Sequence, residues 1–198
     1  MIVDLPPPAP TEAPALGRIR RLSRPLEWLF AGLLLIGAAI LSAAVIGVLF
    51  YEGPRVQVRP GGMQIFLGPI VPDTPASWTT LAALPVYRKL ALAISACLMI
   101  VPALAILWQL KRLFALYGSG VVLAAENARR IGWIALWLLA YAVAPTLGHL
   151  LVTAAGFHDE GWLRLDSLQA LGLGLVLLVI ARVMSWGAEV HDDASRFV

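Results

Sequence analysis

Four long apolar runs divide the chain into segments of membrane-spanning length. They cover residues 28–50, 90–110, 131–152 and 168–186, and the middle of each run carries no charged side chain. An α-helix rises about 1.5 Å per residue, so about 20 apolar residues cross a hydrocarbon layer about 30 Å thick. The pattern predicts an all-α membrane protein with a four-helix transmembrane bundle over residues 28–186.

The polar segments predict what flanks the bundle. Residues 1–27 begin with "LPPPAP", which predicts disorder, and continue as a basic interfacial helix. Residues 51–87 are the one long connection, and "RVQVRPGGMQIFLG" alternates on both sides of a Pro-Gly-Gly turn. That alternation predicts a β-hairpin in a small outer loop. Residues 187–198 form an acidic tail that we expect to be solvated.

The sequence between the second and third runs predicts a tight turn. Leu113, Phe114 and Tyr117 continue the helical spacing of span two, which predicts that this helix runs on at the interface. The sequence Gly118-Ser119-Gly120 should then end it. Glu126 falls early in the next helix, where a carboxylate suits the positive end of the helix dipole.

Small residues predict where helices approach each other closely. Ala39, Ala43 and Gly47 recur at every fourth position of span one, and Gly172 and Gly174 lie in span four. Side chains this small let two helix backbones come together inside a membrane. We therefore expect span one to pack through its three small residues.

Composition supports the membrane interpretation and narrows the function classes. Hydrophobic residues make up 60% of the chain and charged residues only 14%, with a mean hydropathy of +0.81. A soluble domain is nearer half apolar and a quarter charged. The net charge is only +3, and the basic residues form no strip with aromatics, so direct nucleic-acid binding is not expected. The single cysteine, Cys97, excludes an intramolecular disulfide.

The distribution of Lys and Arg predicts the orientation. Ten basic residues flank the spans on the side of the N-terminus, the 111–130 segment and the C-terminus, against five on the other side. Because short cytoplasmic segments retain an excess of Lys and Arg, both termini should be cytoplasmic. Arg heavily outnumbers Lys, a coding bias that points to a bacterial chain and hence to the inner membrane.

A metal site at the outer face is the weakest chemical hypothesis. His149 lies near the outer end of span three, and His158 and Glu160 lie in the short loop that follows. Imidazole and carboxylate could ligate a metal ion there. A polar helix end beside a solvated turn explains the same residues, and we favour that interpretation, with no metal and no other cofactor.

Two stretches resemble a known family. The sequences "LKRLFALYGSGVVLAAENARRIGW" and "VIARVMSWGAEVHDDASRFV" are similar to those of the bacterial four-span membrane proteins grouped as domain of unknown function 2975. The resemblance implies four spans but no activity. Members are often encoded beside small helix-turn-helix regulators, which implies a cytoplasmic regulatory partner.

We therefore expect a non-enzymatic accessory or regulatory membrane protein that docks such a partner. The predicted docking residues carry the charge and polarity of the cytoplasmic face: Lys111, Arg112, Glu126, Asn127, Arg129, Arg130, Glu189, Asp192 and Asp193. The alternative is a small transporter or pore subunit that works as a homo-oligomer, which Pro102, Pro145 and the glycines of span four motivate.

Overall fold

The computed structural model describes residues 14–59, 62–66, 78–120, 125–157 and 165–195. The described residues form four long α-helices. They are α1 (Pro14–Phe50), α2 (Val86–Gly118), α3 (Ala125–Ala154) and α4 (Leu165–Ser195). Each contains a stretch long and apolar enough to cross a bilayer, so the chain is a multi-pass membrane protein by length and composition.

The helices extend beyond the apolar runs that predict them. α1 starts at Pro14 and passes through Pro25 without interruption, whereas the first run starts only at residue 28. α4 continues to Ser195, so most of the acidic 187–198 segment is helical. Hydropathy marks only the part of a helix that needs hydrocarbon around it, while backbone hydrogen bonding continues into the interface.

The helices pack in chain order. α1 packs against α2, α2 against α3 and α3 against α4, each along much of its length. Within the described residues, α1 and α4 share no comparable packing. The predicted bundle is therefore an open row of four helices, in which α1 and α4 each lean on a single neighbour.

A close approach of α3 and α4 occurs at a glycine of span four. A Cβ atom added to Gly174 would lie 3.2 Å from the backbone oxygen of Ala135 and 3.0 Å from Leu139. A Cβ atom added to Gly172 would meet nothing within 4 Å. Gly174 is thus the glycine of span four that lets the two helices come together, and Gly172 is not.

The expectation for span one is wrong. Ala39 and Ala43 are exposed, and a Cβ added to Gly47 would meet nothing within 4 Å. α1 instead approaches α2 at Gly37, where an added Cβ would lie 2.7 Å from the Leu104 side chain. The three small residues line a face of α1 that no described helix covers.

A small sheet covers one end of the helices, which we call the sheet end. Strands β1 (Val56–Arg59), β2 (Gly62–Ile65) and β3 (Thr79–Thr80) lie in the order β2-β1-β3, and both pairs are antiparallel. The turn of the predicted hairpin, at Pro60 and Gly61, lies outside the described residues. A single 3-10 turn, Leu81–Ala83, leads from β3 towards α2.

The sheet end has its own hydrophobic core. Leu81 is 1% exposed and packs with the buried residues Val48, Val58, Leu84 and Ala93. Partly buried residues of α1 and α2, together with Phe157 beyond α3, surround this cluster. A short sheet alone is marginal in water, so its burial against α1, α2 and Phe157 explains how it persists.

Candidate docking surface at the turn end

The opposite end of the helices, which we call the turn end, holds the α2–α3 connection. α2 ends at Gly118, and the N–H of Ser119 donates to the carbonyl oxygens of Ala115 and Leu116. The Ser119 hydroxyl also donates to the Leu116 carbonyl, at 2.8 Å. Gly120 adopts a φ of +89°, a left-handed conformation that favours glycine. The predicted stop at Gly118-Ser119-Gly120 is confirmed, and residues 121–124 lie outside the described part.

Glu126 organises the start of α3, as its position in the first turn predicts. One carboxylate oxygen accepts a hydrogen bond from Arg129, and the other lies 2.8 Å from a guanidinium nitrogen of Arg130. Residues three and four positions apart lie on one side of a helix, which is why a single carboxylate reaches both arginines. The group Glu126, Arg129 and Arg130 keeps one net positive charge.

Arg130 ties this group to α2. Its guanidinium donates to the side-chain oxygen of Gln109, at 3.2 Å, and its side chain is only 17% exposed. Gln109 is the one polar residue at the edge of the second apolar run. An isolated cation at this depth is costly, and its pairing with a carboxylate and an amide lowers that cost. Arg130 therefore links the start of α3 to α2.

The two arginines of α3 have different roles. Arg129 has 65% of its side chain exposed, whereas that of Arg130 is 17% exposed. Arg129 remains available to a partner, whereas Arg130 is a positioning residue inside the row.

Asn127 does not lie on the surface. It has no exposed area and belongs to the buried side of α3 with Ala128, Ile134 and Ala135. A docking partner therefore cannot touch Asn127 in this conformation. The helical spacing of these four residues indicates that they share one buried side of α3. Because Asn127 is polar, its residue type alone predicts a surface position instead.

Two further cations lie at the end of α2. The Lys111 amine and the Arg112 guanidinium both lie over the ring of Trp108, at 5.5 and 5.0 Å from its centroid. Arg112 is exposed and Lys111 is half-buried. The face of an aromatic ring attracts cations, so Trp108 holds both charges close to α2.

Aromatic stacking connects α1 to the same end. The rings of Phe30 and Phe114 stack at 5.4 Å, and Tyr117 meets Phe114 edge-on at 5.9 Å. Such pairs add to the stabilisation that comes from area burial alone. The α2 segment that carries Lys111 and Arg112 is thereby held against α1.

α4 contributes a third group of charged residues. Arg182 and Glu189 are exposed on it. Asp192 and Asp193 lie in its last turns, but their side chains lie outside the described part. Of the nine predicted docking residues, the structure thus brings Glu126, Arg129 and Arg130 into one group, places Lys111 and Arg112 on α2, and leaves Glu189 apart on α4.

The described residues give no support to a metal site at the sheet end. His149 lies half-buried in α3, while His158 and Glu160 fall in the undescribed 158–164 segment. Within the ranges that are described, no three His, Cys, Asp or Glu side chains form a group suited to a metal ion.

No family model matches the chain, and neither a curated protein nor a solved structure does. The resemblance to the four-span family stays a prediction, and the function has to be argued from the geometry of the two ends.

Proposed function

We propose that the protein is a non-enzymatic accessory or regulatory component of a bacterial inner membrane that docks a soluble cytoplasmic partner at its turn end. The observation that carries the proposal is the arrangement of charge there. Arg112 and Arg129 are exposed, and Glu126 is shared between Arg129 and Arg130, so the α3 group keeps a net positive charge. The surface therefore offers cations that attract an acidic partner and steer its approach.

The proposal also needs the turn end to face the cytoplasm. The twofold excess of Lys and Arg on that side, ten against five, supports this orientation. The helix-turn-helix regulators encoded near members of the resembling family are one class of partner that fits. A single set of cysteine variants tests both the cytoplasmic orientation of the turn end and the binding of a soluble partner.

In a Cys97→Ser background, single cysteines replace Ser119 at the turn end or Met63 at the sheet end, both of which are exposed. A membrane-impermeant thiol reagent should label Met63→Cys in cells whose outer membrane is permeabilised. Ser119→Cys should react only after the inner membrane is opened. The reverse labelling would place the turn end outside and refute cytoplasmic docking.

The Ser119→Cys thiol then carries a photo-crosslinker in inverted membrane vesicles supplied with cytosol. We expect capture of one soluble protein, and about a tenfold loss of capture when Arg112→Gln and Arg129→Gln are combined, since each lost charge pair weakens binding by about 1 kcal/mol or less at a rim. Arg55→Gln, exposed at the sheet end, is the matched control. Capture that survives the double change, or falls equally in the control, would contradict the docking surface.

An oligomeric transporter or pore subunit is the second candidate, and the open helix row favours it. An apolar groove of about 680 Å³ lies between α1, α2 and α3, with Val45, Cys97 and Trp137 among its lining residues. A second copy could cover this groove or the outer sides of α1 and α4. The mass of the purified protein in detergent separates the candidates, because the pore requires a stable oligomer and docking does not.

A further inference from the structure

We propose that the turn end holds a specific anionic phospholipid, with its phosphate bound in a cleft between α3 and α4. The cleft has a volume of about 310 Å³. Its α3 wall includes Ala125, Ala128 and Arg129, and its α4 wall includes Leu178, Ala181, Arg182 and Ser185. This site shares Arg129 with the proposed docking surface and adds Arg182, which that surface does not use. Lipid binding goes beyond the proposed docking function.

Charge makes the cleft a site for an anion. Arg129 and Arg182 enter it from opposite helices, and the described residues that line it include no carboxylate. Arg129 gives one nitrogen to Glu126, and a guanidinium has five N–H donors, so donors remain for a phosphate. Two arginine forks facing one space suit a tetrahedral oxyanion, which can accept several hydrogen bonds at once.

The position of the cleft makes the anion a lipid headgroup. Arg182 lies at the end of the fourth apolar run, the level at which headgroups lie. Leu178 lies about one turn before Arg182 and Ala181 lies directly before it, and both give the cleft an apolar wall on the hydrocarbon side. A phosphate held by the arginines would therefore have its acyl chains beside apolar side chains. Basic pockets between transmembrane helices bind anionic headgroups in this way.

Small residues bring α3 and α4 together beside the cleft. Below it, Gly132 lies close to Ala181, since an added Cβ would be 3.8 Å from that methyl group. Beyond it, Ser185 is occupied with its own helix, donating to the Arg182 carbonyl at 2.9 Å. The small residues therefore hold the two helices together on the membrane side of the cleft.

The test measures lipid retention by native mass spectrometry. The purified full chain is exchanged into mixed micelles with equal amounts of phosphatidylglycerol and phosphatidylcholine, and the bound lipids are counted. We expect phosphatidylglycerol to be retained preferentially. Arg182→Gln or Arg129→Gln should weaken that retention about tenfold, as expected when one charge-assisted hydrogen bond of about 1.4 kcal/mol is lost.

Controls separate this site from general attraction to the cationic end. Arg112→Gln removes an exposed charge of α2 outside the cleft and should retain phosphatidylglycerol as the unmodified chain does. Ser185→Leu keeps both arginines but fills the cleft, so it should abolish retention even if an arginine variant is unstable. Millimolar inorganic phosphate should not displace the lipid, because the acyl chains contribute to binding.

Three results would overturn the proposal. They are equal retention of the two lipids, equal losses in Arg112→Gln and Arg182→Gln, or displacement by inorganic phosphate alone. Loss of lipid in Arg182→Gln with intact crosslinking to a soluble partner would support the lipid site and leave the docking proposal standing, so the two proposals fail separately.

Discussion

The two ends of the helix row are stabilised by different physics. At the sheet end, Leu81, Val58 and Val48 exclude water in a small apolar core. At the turn end, Arg130 joins Glu126 on its own helix to Gln109 on α2. Apolar burial is non-directional and is not screened by salt, whereas an ion pair depends on geometry and on the ionic strength around it. The sheet end is therefore an apolar cap on the helices. The stability of the turn end, in contrast, can be changed by charged molecules that bind there.

The largest expected effect tests the cap. Leu81→Ala should lower the free energy of unfolding by about 3 kcal/mol, because it leaves a cavity in the sheet-end core. Thermal unfolding in detergent measures the total loss of stability, and hydrogen exchange should show that protection is lost mainly in the strands and in the part of α1 at the sheet end. Ile65→Ala in β2, where the side chain is exposed, is the control. Equal losses in the two variants would mean that the core carries no such role.

The next largest effect is expected at the α3–α4 contact, which lies between the two ends. Gly174→Leu should cost about 2 kcal/mol, because its Cβ would press on the Ala135 carbonyl, which cannot yield unless the α3 backbone moves. Gly172→Leu, on an open side of the same helix, should be nearly neutral. If Gly172→Leu were the more damaging variant, that side of α4 would be covered in the membrane by something other than α3.

The smallest effect tests the ion group. Glu126→Gln should cost about 1 kcal/mol, well below the 3–5 kcal/mol of a fully buried pair, because Glu126 is one-third exposed. The loss should shrink in high salt, whereas that of Leu81→Ala should not. Glu189→Gln, an exposed acid on α4, is the matched control. A salt-independent loss would show that packing, and not charge, holds the turn end together.

Much of the fold could be predicted because hydropathy reports what must lie in hydrocarbon. The four runs all fall inside helices, and the Gly118–Gly120 stop is where the sequence indicates. Packing partners could not be predicted in the same way. Small residues permit a close approach but do not say which side of a helix receives one. That is why Ala43 in α1 is exposed while Gly37 and Gly174 make the contacts.

The candidate site shows a similar division. The spacing of Glu126, Arg129 and Arg130 predicts their mutual contact, since it follows from helix periodicity alone. The link from Arg130 to Gln109 spans 21 residues of sequence and depends on how α3 docks on α2, which no local pattern encodes. Arg182 was also missed as a site residue. Its relation to Arg129 exists only once α3 and α4 are antiparallel neighbours.

The open row also bears on how the protein is made. Each helix finds its main contacts on the helix synthesised just before it, so no span has to wait for a distant segment to emerge. Chains dominated by such sequence-local contacts lose little entropy in forming them and reach their native arrangement quickly. Membrane insertion can therefore proceed hairpin by hairpin, and a truncation after α3 should leave the α1–α2–α3 packing intact. α4 is then an addition to an existing three-helix unit, and the α3–α4 cleft forms only after α4 has inserted.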